Sequence, residues 1–330
     1  MDFKSIFVND FGRLRSGWRF TIFLFSFIIT GTVAFTAAVA IAQSLPIGFT
    51  PDSLAAFLLQ SLVSFAVAVF FGWLFGRVFE DLPFRALGLW FTRGWLKDLG
   101  LGLLAGAFSI TLAVFIAVAG GGLSFKYNDS AGTSAMALTL GVSLVIFIAG
   151  AAFEEALFRG YLLQTLARAR LAWLAIALTS AFFASAHLAN PNTSAVATLN
   201  TALAGVWLGV AYLKTRNLWF PFGIHLMWNW LQGAFFGVEV SGITQFTTAP
   251  ILREIDSGPA WLTGESYGLE GGAACTVALI VSTALIYFLP IFKPTEEMLA
   301  FSSEEKPLNR LNLKRNIDRP RRVGELADRD

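Results

Sequence analysis

At 330 residues, 55% hydrophobic and only 14% charged, with a mean hydropathy of +0.64, the chain is too apolar for an ordinary soluble domain and has the composition of a polytopic membrane protein. A formal net charge of +2 leaves no electrostatic footprint for nucleic acid, because the basic residues sit between apolar runs and in the tail. The single cysteine, Cys275, lies inside an apolar run, which excludes an intrachain disulfide and a cysteine metal site.

Apolar runs predict eight membrane helices, at 18–42, 54–78, 98–120, 135–166, 171–188, 195–213, 218–237 and 271–292. The first has the basic flank of a signal peptide (Lys4, Arg13, Arg15, Arg19) and an Ala40-Ile41-Ala42 end. Its apolar core is far longer than the ~7–15 residues of a signal sequence, so it reads as a retained helix. Basic residues then alternate along the connections. The N-terminus, the 77–97 loop, the Arg168/Arg170 turn, the Lys214/Arg216 turn and the tail are basic, while the intervening connections are nearly bare. That pattern predicts both termini in the cytoplasm of a plasma (inner) membrane.

The pairs Gly72/Gly76, Gly102/Gly106 and Gly205/Gly209 have the spacing that lets helix backbones approach. The 238–270 connection mixes glycines with Phe246, Trp261 and Tyr267, and reads equally as a segment capping the bundle or as an ordinary outer loop. The organisation expected is an all-α membrane domain over 1–292, followed by a charged, solvated and disordered cytoplasmic tail over 293–330.

The chemistry concentrates in Phe153-Glu154-Glu155-Ala156-Leu157-Phe158-Arg159, at the end of an apolar run. A charge near the centre of a membrane helix costs roughly 2.5–3.5 kcal/mol, so adjacent glutamates there need partners, water or a reaction. On a helix Glu155 and Arg159 share a face in the favourable order, while Glu154 points about 100° away. Glu155 is therefore expected to be held by Arg159, leaving Glu154 free to face a cavity. The chain has two histidines, and both fall in predicted helices. If residues 166–171 form a hairpin turn, His187 lies about 6 Å along the axis from the level of Glu154. His225 and Asn229 share a face of the seventh run, and Gln232 continues that stripe, which has to face the interior.

Glu154-Glu155-x-x-x-Arg159, Phe183-x-x-x-His187 and His225-x-x-x-Asn229 together resemble the three-motif signature of the CPBP intramembrane proteases, the Abi group that includes the type II CAAX prenyl endopeptidases. The resemblance implies an endopeptidase with its site inside the bilayer, acting on a peptide or lipidated protein. Glu154 would be the general base on water with His187 beside it, His225 and Asn229 would stabilise the oxyanion, and Glu155 and Arg159 would support them. Glu154, His187 and His225 also match a zinc set of two histidines and one glutamate, although the HExxH arrangement is absent. A metal-bound water and a metal-free, glutamate-activated water both remain open on these residues. Three rival uses of the same cluster are a proton-coupled transporter, a haem carrier with His187 and His225 as axial ligands, and a binding or immunity role without proteolysis.

Overall fold

The computed structural model describes residues 4–46, 48–51 and 53–303. Among these, eight principal helical segments follow the eight apolar runs in order. They are α1 (Ser16–Ser44), α2 (Leu54–Glu80), α3 (Trp95–Ala119), α4 (Thr133–Glu155), α5 (Ala172–Ala186), α6 (Ala195–Thr215), α7 (Trp219–Trp230) and α8 (Ala273–Phe288). α4 continues through a π-helical turn, Ala156–Leu162, into Leu163–Arg168, and α7 continues through the π turn Leu231–Phe235. The ends carry ordinary chemistry: the Ser53 and Ser194 hydroxyls accept from the N–H groups of Ala56 and Ala197.

Five of these segments are long and apolar enough to cross a bilayer: α1, α2, α3, the 36-residue Thr133–Arg168 and α6. α5 and α8, at 15 and 16 residues, rise only about 23 Å, short of a hydrocarbon core of about 30 Å. Length and composition alone pick out five of the eight expected spans; α5, α7 and α8 are shorter, because α5 stops at the His187 turn, α7 opens into its π turn after Trp230 and α8 starts only after Gly272. The protein is a multi-pass membrane helix bundle. Large apolar side chains such as Phe25, Leu104, Phe115 and Leu138 face outward, as they do where lipid replaces water.

Backbone-to-backbone packing sets the position of α7. A Cβ on Gly102 would stand 2.3 Å from the Phe220 carbonyl oxygen, and one on Gly106 would stand 2.4 Å from that of Ile224. α3 therefore lies directly against the turn of α7 that carries His225. Gly205 meets the Ser180 backbone in the same way and draws α6 onto α5, whereas Gly72 and Gly76 face the side chains of Leu87 and Leu82 rather than a helix backbone.

One end of the bundle is pinned by charge. Arg168 reaches both oxygens of Glu80, at 3.0 and 2.8 Å, and Arg19 reaches the same carboxylate at 2.9 Å, all three buried. At the other end, β1 (Leu123–Tyr127) pairs antiparallel with β2 (Leu252–Asp256), a short sheet that an all-α reading did not foresee. The 238–270 segment, which includes β2, caps the bundle, with Phe246 and Tyr267 buried and Trp261 exposed. Of the tail expected to be solvated from 293, the described part forms a short helix, α9 (Glu296–Ser302), whose Met298 is fully buried; residues 304–330 lie outside the described residues.

Candidate active site

α4 ends where its apolar run meets two carboxylates. Beyond Glu155 the helix widens, and at Gly160 the backbone leaves helical values (ψ −131), so the helix is kinked one turn past the acids. The two glutamates diverge. The Glu155 side chain is 1% exposed, whereas that of Glu154 is 22% exposed and lines a cavity of about 370 Å³. His187, His225 and Asn229 line the same cavity. Side chains from three helices separated by as many as 75 positions thus share one pocket.

Glu155 stands behind the pocket as a hub. Its Oε1 accepts from Arg159 Nη1 at 3.0 Å and lies 2.9 Å from His225 Nδ1. The expected i,i+4 pair therefore forms, and it reaches a third residue that sequence reasoning did not connect to it. Arg159 donates its other terminal nitrogen to the Gly205 carbonyl at 3.2 Å, so the close α6 contact also serves this cluster. With Nδ1 directed at Glu155, His225 turns Nε2 toward Glu154, 3.7 Å from Oε2. That Glu154 oxygen is buried and has no hydrogen-bond partner among the described residues.

Phe183 organises the remaining geometry. Its ring lies 4.7 Å from that of His187 and 6.1 Å from that of His225, centroid to centroid, and the Arg159 guanidinium stands 4.8 Å above it. Its carbonyl lies 2.8 Å from His187 Nδ1. A carbonyl only accepts, so Nδ1 carries the proton and the neutral imidazole presents a bare Nε2.

Several wall residues escaped the sequence reading. Gln60 and Ser61 come from α2, where a polar pair inside an apolar run was an unused signal. Ser241 and Glu270 come from the capping segment, which has no periodicity to betray them. Gln232, expected on the His225/Asn229 stripe, does not line the cavity. It sits in the π turn after α7 and donates to the Glu239 carbonyl at 2.5 Å, anchoring the cap.

A zinc ion on Glu154, His187 and His225 would need three donors about 2 Å from one point. Among the described residues, no three His, Cys, Asp or Glu side chains converge closely enough to hold one ion. Nδ1 of each imidazole is engaged by Glu155 or the Phe183 carbonyl, which leaves Nε2 as the available donor. The donor set does not close in this structure, and the chemistry below is derived from the side chains alone.

Residues 136–231 match the family model described as type II CAAX prenyl endopeptidase Rce1-like, a stretch that holds all the cavity residues from Phe147 to Asn229. No curated protein and no solved structure matches the chain.

Proposed function

We propose that this chain hydrolyses a peptide bond within its helix bundle, using water activated by Glu154, a reading supported by the match of residues 136–231 to the Rce1-like type II CAAX prenyl endopeptidase model. The observation that carries this reading is the 3.7 Å separation between Glu154 Oε2 and His225 Nε2 at the cavity wall. It is too long for a direct hydrogen bond, but a water about 2.8 Å from each atom closes a triangle on it. Such a water supplies the partner that the buried Glu154 oxygen lacks.

Glu154 takes a proton from that water as its oxygen attacks the peptide carbonyl carbon, and later returns the proton to the leaving amine. His225 Nε2–H and the Asn229 amide donate to the oxyanion that develops. His187 presents Nε2 beside the water. Glu155 and Arg159 do not meet the substrate; they hold the His225 ring in place through Nδ1. When His225 carries both protons, the Glu154, Glu155, Arg159 and His225 charges sum to zero, which suits a wall with few other charges. The substrate is a peptide or lipidated protein presented from the bilayer, and the alternating basic connections support a plasma (inner) membrane placement with both termini cytoplasmic.

The test compares protein N-termini in membranes from cells expressing the wild type or Glu154→Ala. New termini confined to the wild type are expected; identical sets would sink the proposal.

A further inference from the structure

The cavity wall carries a second carboxylate that the proposed chemistry does not use. Glu270 lies on the loop that leads into α8 and lines the same cavity as Glu154. Its Oε1 accepts the Trp228 indole N–H at 3.1 Å, while Oε2 accepts the backbone N–H and the hydroxyl of Ser241 at 2.6 and 2.7 Å. Its main-chain carbonyl accepts from Asn200 at 2.9 Å. Both ends of the residue are thus fixed. All three donors to the carboxylate are neutral, and no ion pair among the described residues includes it.

An ionised carboxylate offers about four lone-pair positions, so one, on Oε1, remains open. With His225 doubly protonated the Glu154, Glu155, Arg159 and His225 cluster balances its own charge, and no lysine or arginine lines the cavity. Much of the rest of the wall is apolar, with Phe57, Phe147, Trp207 and Leu279. In such partly apolar surroundings the effective dielectric is lower than in bulk water, and an unbalanced anion attracts a cation more strongly than it does at an open surface. Trp228 follows His225 by three residues, so Glu270 is joined to the same helix about one turn from the residue that carries the imidazole, and both line one cavity. An extended chain advances about 3.3 Å per residue, so a few residues of a bound peptide reach from one group to the other.

We infer that Glu270 is a specificity-determining residue: the cavity selects an apolar peptide segment that places a lysine or arginine side chain within a few positions of the cleaved bond, and it disfavours an acidic side chain there. The location of the cleaved bond rests on the protease proposal, whereas the charge preference of the occupant does not.

The experiment measures binding first. Fluorescent, end-blocked apolar decapeptides that differ at one central position (lysine, norleucine or glutamate) are titrated into the full chain in neutral detergent and followed by anisotropy. The lysine peptide is expected to bind at least tenfold more tightly than norleucine, and the glutamate peptide more weakly than either. In Glu270→Gln the lysine advantage should fall within twofold. Ser241→Ala, which removes one donor but leaves the charge, should retain it and so separates charge from loop structure. Equal affinities for the three peptides in the wild type, or a lysine advantage untouched by Glu270→Gln, would overturn the inference. Incubating the same peptides and assaying cleavage keeps the two ideas apart: charge-selective binding without cleavage removes only the protease proposal.

Discussion

The Nδ1 nitrogen of His225 lies 2.9 Å from Oε1 of Glu155, although the two residues are 70 positions apart. The same oxygen holds Arg159, so one carboxylate ties α4 to α7 and neutralises a fully buried guanidinium. Removing one partner of a buried ion pair strands the other, at a cost of about 3–5 kcal/mol. Glu155→Ala is therefore expected to lower the thermal unfolding midpoint in detergent by many degrees. Glu154→Ala should unfold near the wild-type temperature, because Glu154 Oε2 has no hydrogen bond to lose and its side chain is partly exposed. Equal losses in the two variants would contradict the division of roles between the adjacent acids.

Phe183 acts through its ring as much as through its volume. Phe183→Leu keeps an apolar side chain but removes the face that meets Arg159 and both imidazoles. The lost cation–π contact is worth about 0.5–2 kcal/mol. Turnover of a substrate identified from the N-terminal comparison is expected to fall about tenfold, a barrier change of about 1.4 kcal/mol. The protein should remain monodisperse on size exclusion, and unchanged turnover would show that the ring does not orient the histidines.

The α3–α7 contact is predicted to be intolerant of a single methyl group. In Gly102→Ala or Gly106→Ala the new carbon meets a backbone carbonyl, which cannot rotate away, and overpacking of this kind costs about 1–3 kcal/mol. Gly31→Ala, on α1, meets nothing within 4 Å and serves as the control. Thermal unfolding of the three variants should put Gly31→Ala level with the wild type and the other two well below it.

The cap carries a pH dependence of its own. Burial pushes the Glu254 carboxyl up to about 8 from an ordinary value of 4.5, and the neighbouring Glu239 and Asp256 carboxylates add to the shift. The folded protein thus holds this proton to higher pH than the unfolded chain does. Its contribution to stability is present in full below pH 4.5, declines as pH rises and is lost beyond about pH 8. Glu254→Gln cannot ionise and is expected to flatten that part of the profile of unfolding midpoint against pH. A decline of the same size in the variant would assign the effect to other groups.

Orientation is open to a direct check. Arg93 and Lys126 are both exposed, and the native Cys275 is buried, so single cysteines at the two positions give clean labelling. A membrane-impermeant thiol reagent applied to intact cells is expected to label Lys126→Cys and to spare Arg93→Cys until the cells are broken.

The helices themselves were legible because an apolar run long enough to span lipid has few alternatives to helix. The Glu155–Arg159 pair was legible for a related reason, since helical geometry alone puts residues four apart on one face. Periodicity did not show where helices stop: α5 is cut short at the turn that carries His187, and Gln232 leaves its expected stripe where α7 widens into a π turn. The β1–β2 pair joins segments more than 120 residues apart, and neither segment has the length or alternation to announce itself.

Local sequence thus determined a bundle of apolar helices and the acidic, histidine and amide side chains placed upon them. Tertiary packing decided which of those side chains meet. Because Gly102 and Gly106 let α3 lie against the backbone of α7, His225 is set within reach of Glu155 and turns its other nitrogen toward Glu154, and the capping segment brings Glu270 to the same cavity. The division has a physical origin: the bonds within a helix join near neighbours in the chain, whereas a pocket is closed by groups that only the packing of separate helices can bring together.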